Sequence, residues 1–380
     1  MPLLPALALL LLAGLLACAG VYLYHAPSPP GAGFVLTPLP STPLAAAPGV
    51  APPTPSAPAP PTPSAAAAAA TASATPACPP PPPHSLAFII AANADASLPR
   101  SAGYFMLALS LRRITALYPA ARVVVVNNGA RHSAGAEALR ALLARHGEHL
   151  APTLLHNSNA SLSGYELGAY GAGLAGAGWG DPSACLPFAT AVFMQETMAL
   201  INPLPPSAHA ACFQPLFHFS PGLYDSEAQR AWAEAGVSAL PPGATPAAPP
   251  APCPGTFATS FLLSRPCLTA WLAARVFQAI AVPDKDASKG TERMMAGVAA
   301  RLCGAECGCG RGEGGSLGVD GDYTVTTGPG RNGDVLEDFV RDPSTAAARH
   351  VLKSYGTIGG PQNADLGEAL WEAMEAAFPV

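Results

Sequence analysis

The sequence predicts an α/β fold with a doubly wound, mostly parallel sheet, and two observations support this. Predicted strands and helices alternate at least three times between residues 86 and 194. Within that region, Arg122–Asn127 contains four consecutive valines with no polar alternation. Such a run is typical of a strand that is covered on both faces, as in the interior of a parallel sheet. The body of the protein is therefore expected to be one α/β domain.

The individual elements follow from local patterns along the chain. Residues 86–92 form an apolar run that ends at Asn93, and residues 104–118 have apolar side chains at helical spacing, closed by Pro119. Further strands are predicted at residues 122–129, 153–156 and 190–194, and further helices at residues 136–146, 165–174, 267–280, 291–303 and 365–378. Loops rich in Pro/Ala and Gly/Cys are predicted at residues 241–254 and 304–318.

The N-terminal region has no charged side chain before Asp95. Residues 3–24 are apolar and about 33 Å long as a helix, enough to span a hydrocarbon core of about 30 Å. We expect residues 1–25 to be a transmembrane anchor, with a cleaved signal segment as the alternative, because Ala17-Cys18-Ala19 resembles a cleavage site. Residues 26–84 are rich in Pro, Ala, Ser and Thr and predict a disordered stem. Residues 85–380 are the predicted luminal domain.

Composition indicates an exported protein and excludes one class of partner. The formal net charge is −5 and the sequence pI is about 6.0, so binding to nucleic acid is not expected. Eight cysteines follow Cys18, an even number that fits disulfides in an oxidising compartment, although their pairing does not follow from the sequence. Asn159-Ala160-Ser161 is an N-glycosylation sequon, which agrees with the same compartment.

Polar side chains follow the predicted strands at the point where each strand ends. They are Asn93, Asn127, Asn128, His156, Asn157, Gln195, Glu196 and Thr197. Ligands of open α/β sheets bind beyond the carboxyl ends of the strands, where the strand order reverses. These side chains therefore predict a ligand site at that edge. The alternative is turn chemistry, since Asn-Gly after a strand is a common turn former.

Part of this pattern resembles the GT-A type of glycosyltransferase. The residues concerned are a strand that ends in Asn93, the string Val-Val-Asn-Asn-Gly ending at residue 129, the helical segment from Gly164 to Tyr170, and the strand end Phe-Met-Gln-Glu-Thr at residues 193–197. The similarity covers residues 86–202. An anchor, a stem and a luminal domain is also the layout of Golgi glycosyltransferases, so the resemblance implies sugar transfer from a nucleotide-sugar to a glycan or glycoprotein acceptor.

The resemblance also implies roles for individual residues. Asn93 with Asn127 or Asn128 would contact the nucleoside, and residues 164–168, with Glu166 among them, would pack near it. Glu196 would bind Mg²⁺ or Mn²⁺, which neutralises a diphosphate leaving group through oxygen ligands. The chain has one carboxylate at this position, where such families usually carry an Asp-x-Asp pair.

Other carboxylates are candidates for further roles. Asp286 or Glu292 would serve as the general base that deprotonates an acceptor hydroxyl, and the alternative for Glu292 is an ordinary carboxylate in the first turn of a helix. Two Asp-x-Asp strings, at residues 284–286 and 320–322, are alternative metal sites. The competing hypothesis for the whole protein is a non-catalytic exported or cell-surface protein that binds carbohydrate or a partner.

Overall fold

The computed structural model describes residues 78–93, 102–129, 131–157, 165–219, 226–240, 255–256, 259–280, 282, 285–304, 350–353, 372 and 376. All of them belong to the second of two units into which the chain divides, Leu36–Val380. Among these residues no helix is long and apolar enough to cross a membrane. The predicted span at residues 3–24 and nearly all of the predicted stem lie outside them, so both stay predictions.

The strands, in chain order, are β1 (Leu86–Ala92), β2 (Arg122–Asn127), β3 (Thr153–His156), β4 (Thr190–Gln195), β5 (Met198–Leu200), β6 (Phe213–Pro215), β7 (His218–Phe219), β8 (Gly255–Thr256), β9 (Phe261–Ser264) and β10 (Val351–Lys353). The α-helices are α1 (Ala102–Leu117), α2 (Ala134–His146), α3 (Tyr165–Gly176), α4 (Pro206–Ala210), α5 (Glu227–Ala239), α6 (Arg265–Ala273), α7 (Val276–Ala279) and α8 (Lys285–Cys303). A short 3-10 helix follows α2 at Glu148–Leu150.

The central sheet is mixed and mostly parallel, which confirms the predicted α/β class. Its strand order is β3-β2-β1-β4-β9-β6. The first four strands are parallel, and β9 is antiparallel to both β4 and β6. Along the chain, the sheet first grows from β1 toward β3 and then continues on the other side of β1 with β4. The strand order therefore reverses between β1 and β4.

Two hydrophobic cores cover the two faces of this sheet. On one face, alternate residues of β1 such as Ile89 pack with α3, α6 and α8; on the other, residues such as Phe88 pack with α1, α2 and β5. This explains why β1 and β2 read as continuous apolar runs rather than alternating ones. Each fully buried Ile, Val or Phe contributes about 1.5–3 kcal/mol through burial.

The glycines of α3 allow that helix to lie directly on the sheet. A Cβ atom added at Gly173 would lie 2.8 Å from Val126 Cγ2 and 3.0 Å from Ile89 Cγ2. Only a residue without a side chain therefore fits where α3 crosses β1 and β2. The Gly- and Ala-rich composition of this helix follows from the closeness of its packing.

Disulfides close the domain at two described places. Cys78 pairs with Cys185, which ties the segment before β1 to the loop before β4, and Cys267 pairs with Cys303, which joins α6 to α8. Cys212 is also disulfide-bonded. These bonds agree with the oxidising compartment that the cysteine count predicts.

Two helical predictions in the C-terminal half need correction. The helix predicted at residues 267–280 is interrupted, because Arg275 adopts the left-handed conformation (φ 55°) between α6 and α7. The helix predicted at residues 291–303 begins six residues earlier, at Lys285. Of the predicted C-terminal helix at residues 365–378, only two residues lie within the described part of the chain.

Candidate functional site

The candidate site lies at the carboxyl edge of the sheet, where the strand order reverses. Asn93 follows β1 and Glu196 follows β4, and these two strands are neighbours. The Glu196 N–H donates to the Ala91 carbonyl at 2.9 Å, and the Asn93 N–H donates to Glu196 Oε1 at 3.3 Å. The structure thus brings two of the predicted site residues into contact at the position that binds ligands in open α/β sheets.

Glu196 has an unusual environment for a carboxylate. Only 6% of the residue is exposed, and burial raises its pKa from 4.5 to about 7, while the Asn93 N–H and the charge of Lys353 act in the opposite direction. Near neutral pH the carboxyl group is therefore close to half-protonated. Such a group can accept or donate a proton, or bind a cation or a hydroxyl.

A polar network includes Gln195 and Thr197, the two neighbours of Glu196 in the chain. Lys353 Nζ donates to Gln195 Oε1 at 2.6 Å and to Thr197 Oγ1 at 3.2 Å. The Gln195 amide donates in turn to the carboxylate of Glu166, in the first turn of α3. Gln195 is thus held by α3 and by a lysine from the far C-terminal part of the chain, and Thr197 is held by the same lysine.

Lys353 reaches this position because β10 pairs with β5. The two strands are antiparallel, with Lys353 opposite Met198, and Ser110 of α1 hydrogen-bonds to both ends of β5 through its hydroxyl (2.8 Å to Met198 O, 3.1 Å from Leu200 N). Sequence reasoning missed Lys353. It is 158 residues from Gln195 and lies in no recognisable motif, so nothing in the sequence pointed to it.

Tyr170 is a second buried group whose pKa is affected by the acidic side chains. Its ring packs against Phe193 of β4 with centroids 5.1 Å apart. Burial raises the pKa of the Tyr170 phenol well above its usual value, and the charges of Glu166, Glu196 and Glu292 raise it further. Tyr170 therefore stays neutral at any physiological pH.

Asn127 and Asn128 lie at the end of β2 and connect neighbouring strand ends. Asn127 is fully buried; its Oδ1 accepts from the Gly129 N–H at 2.7 Å, and its Nδ2 lies 3.2 Å from His156 Nδ1. Asn128 Oδ1 accepts from Asn157 Nδ2 at 2.9 Å. The turn chemistry offered as the alternative for this Asn-Asn-Gly string is present. A nucleoside contact by Asn127 or Asn128 stays a prediction.

The two predicted general bases both lie on α8. Glu292 is in the third turn of this helix rather than the first, so its alternative interpretation as a first-turn carboxylate is wrong. It is 6% exposed, and its Oε2 lies 3.2 Å from Arg293 Nη1. Asp286 is in the first turn, and its side chain is not among those described. Neither residue is placed next to Glu196 by a described hydrogen bond.

A divalent metal at Glu196 would need several oxygen ligands. Within the part of the chain that the structure describes, no three His, Cys, Asp or Glu side chains are grouped closely enough to hold a metal ion. Asp320 and Asp322 lie outside that part. The neighbouring oxygens of Gln195 and Thr197 accept hydrogen bonds from the Lys353 ammonium group. In this structure both oxygens are therefore engaged by an ammonium group.

The sequence matches no family model, and no curated protein is significantly similar to it. The function is therefore inferred from the fold and the site.

Proposed function

We propose that this protein is a glycosyltransferase of the secretory pathway that moves a sugar from a nucleotide-sugar donor to a glycan or glycoprotein acceptor. The observation that carries the proposal is the buried polar cluster at the strand-order reversal, where Glu196 accepts the Asn93 N–H across the ends of β4 and β1. Nucleotides and their derivatives bind at this edge in open α/β sheets.

The layout of the chain favours a sugar nucleotide over other nucleotides. The apolar segment at residues 3–24, the uncharged stem and the disulfides are consistent with a body held by an N-terminal anchor in the Golgi or secretory lumen. The glycosyltransferases that residues 86–202 resemble include enzymes of the Golgi lumen. A long, extended stem would also let the catalytic body reach a glycan on a membrane or secreted protein.

In this proposal, different residues at the carboxyl edge of the sheet bind different parts of the donor. Asn93, Asn127 and Asn128 supply amide and backbone groups for the nucleoside, and Glu166 and Glu196 supply carboxylate oxygens that accept from ribose hydroxyls. Glu292 and Asp286 remain the proposed general bases for the acceptor. Of these, Glu292 is already engaged by Arg293, so it would have to exchange that contact for an acceptor hydroxyl.

The test is nucleotide binding by the full chain, made in a secretory host so that its disulfides form. Thermal unfolding is followed with UDP, GDP and CMP, each with Mn²⁺ and with EDTA. A ligand of the folded state adds about 2.7 kcal/mol at a hundredfold excess over its Kd. Glu196→Ala is expected to abolish the shift. Arg145→Met, at an exposed site in the last turn of α2, is expected to keep it.

A non-catalytic exported binding protein is the second candidate, and one observation favours it. Residues 195–197 contain a single carboxylate, and that carboxylate is 6% exposed. A module that binds carbohydrate or a partner has no reason to recognise a nucleotide. A cooperatively folded protein that shows no shift with any of the three nucleotides would therefore support this candidate and exclude the transferase.

A further inference from the structure

We propose that four basic side chains near the ends of β2 and β3 bind the sulfate or carboxylate groups of an acidic glycan acceptor. This basic patch consists of Arg131, His132, Arg140 and His156. The inference rests on the proposed function, because it names the class of acceptor that the transferase would use. None of the four residues is a proposed donor contact or general base, so the patch is a separate site.

Three parts of the chain bring these side chains together. His156 ends β3, where it lies opposite Asn127 at the end of β2. Arg131 and His132 lie in the connection between β2 and α2. Arg140, in the second turn of α2, donates from Nη2 to the Arg131 carbonyl at 3.2 Å. The patch therefore lies at the carboxyl edge of the sheet, on the opposite side of β1 from β4.

The positive charges of the patch are not neutralised by described carboxylates. Arg131, His132 and Arg140 are exposed, and no described carboxylate forms an ion pair with either guanidinium group. Glu137 lies three residues before Arg140 on α2, and these two side chains are not paired. Two unpaired guanidinium groups favour an anionic ligand, because their planar N–H groups match the oxygens of carboxylates and similar oxyanions.

His156 adds a directed hydrogen-bond donor to the patch. Asn127 Oδ1 accepts from the Gly129 N–H, so the Asn127 amide nitrogen is the atom that lies 3.2 Å from His156 Nδ1. An amide nitrogen can only donate, so Nδ1 accepts and the hydrogen of the neutral ring is on Nε2. Within the described part of the chain no group accepts from Nε2, which makes its N–H available to a ligand.

The basic groups also act on one another. Burial lowers the pKa of His156, and the charges of Arg131, Arg140 and His132 lower it further. The described charged groups that shift this pKa are therefore all cationic. A bound anion would oppose their effect and raise the pKa of His156, so anion binding and protonation of His156 favour each other.

The exposure of the patch favours a glycan over the donor diphosphate as its ligand. Sites for small molecules are concave and bury most of the surface of their ligand, whereas three of the four residues in the patch are exposed. A glycan carried on a protein is a large ligand that binds to an open surface. Its negative charges are the sulfate and carboxylate groups of its sugars, which are the oxyanions that arginine recognises.

The experiment measures oligosaccharide binding by the full chain, made in a secretory host, in calorimetric titrations. The ligands are a sulfated glycosaminoglycan hexasaccharide, a sialylated oligosaccharide and a neutral chitin hexasaccharide. The parent is compared with Arg131→Met/Arg140→Met, which removes two exposed charges, and with Arg131→Lys/Arg140→Lys, which keeps them. The matched control, Arg122→Met/Arg145→Met, removes two exposed charges at the start of β2 and in the last turn of α2.

The parent is expected to bind at least one acidic oligosaccharide, more weakly as the salt concentration rises, and not to bind the neutral one. The methionine variant is expected to weaken this binding by about tenfold or more, because it loses charge-assisted hydrogen bonds. The lysine variant is expected to lose less affinity, and the control is expected to bind as the parent does. Histidine hydrogen–deuterium exchange, followed by mass spectrometry, is expected to show a higher pKa for His156 when the acidic ligand is bound.

Several results would overturn the inference. They are a parent that binds neither acidic oligosaccharide, a methionine variant that binds as the parent does, and an acidic ligand that leaves the pKa of His156 unchanged. UDP is titrated into the same proteins as a further ligand. Tenfold weaker binding of UDP by the methionine variant, with the control unaffected, would assign the patch to the donor phosphates and would also overturn the inference.

The two proposals fail in different ways. Nucleotide binding without any binding of acidic oligosaccharides would leave the transferase standing and remove the glycan site. Binding of an acidic oligosaccharide that depends on Arg131 and Arg140, without binding of any nucleotide, would support the site and favour the non-catalytic binding protein. Binding of neither class of ligand by the folded parent would remove both proposals.

Discussion

Replacing Glu196 by Gln is expected to change how the stability of the protein depends on pH. Burial raises the folded-state pKa of Glu196 from 4.5 to about 7. Between these two values the folded state holds more protons than the unfolded state, so the free energy of unfolding falls as the pH rises. The destabilisation is absent below about pH 4 and complete above about pH 8, where Glu196 is ionised in both states.

The magnitude follows from the same two values. One pKa unit corresponds to about 1.4 kcal/mol, so the difference between 4.5 and about 7 amounts to about 3 kcal/mol of lost stability. Gln has nearly the same shape, does not titrate, and keeps an oxygen that can accept the Asn93 N–H. The stability of Glu196→Gln relative to the parent is therefore expected to rise by about 3 kcal/mol between pH 4 and pH 8.

Urea unfolding at a series of pH values, in EDTA and with the disulfides intact, measures this difference. The control is Glu234→Gln, the same chemical change at an exposed position in α5. Its difference from the parent is expected to be small at every pH. A difference between Glu196→Gln and the parent that stays constant from pH 4 to pH 8 would refute the reasoning, because Glu196 would then not titrate differently in the folded state.

Three further predictions concern the fold. Gly173→Val is expected to destabilise the protein by about 1–3 kcal/mol in urea unfolding, because a side chain would overlap Val126; an unchanged midpoint would contradict this packing. Replacing Cys267 and Cys303 together by Ser opens a loop of 36 residues and is expected to cost about 4 kcal/mol in the same assay. Ser133→Ala removes the hydroxyl that accepts the Ala136 N–H at the start of α2, and a loss of about 1 kcal/mol is expected; no loss would show that the cap contributes nothing.

The sequence was most informative for the first half of the sheet. The positions of β1 to β4 were predicted to within two residues, and β1, β2 and β4 each contain a continuous apolar run that ends in a polar side chain. That pattern is local, and it follows directly from burial on both faces. The polar strand ends also located the edge where Asn93 and Glu196 meet.

Features that depend on distant contacts were not predictable in this way. The break at Arg275 follows from a left-handed backbone conformation, which that residue type rarely adopts and does not signal. The early start of α8 and the burial of Glu292 and Arg293 accompany the packing of this helix in the core that contains Ile89. Lys353 is the clearest case, since its contacts with Gln195 and Thr197 form only when β10 pairs with β5.

The pairing of β10 with β5 also affects the order in which the protein can fold during its synthesis. Lys353 meets Gln195 across 158 residues of chain, so a nascent polypeptide can assemble β1 to β4 and their helices while the cluster at their ends is still incomplete. Protein truncated before residue 350 by a premature stop would retain the strands of the central sheet and lack the ammonium group. Loss of the far C-terminal part would therefore leave Gln195 and Thr197 without the ammonium group that donates to them, while the sheet that carries both residues remains.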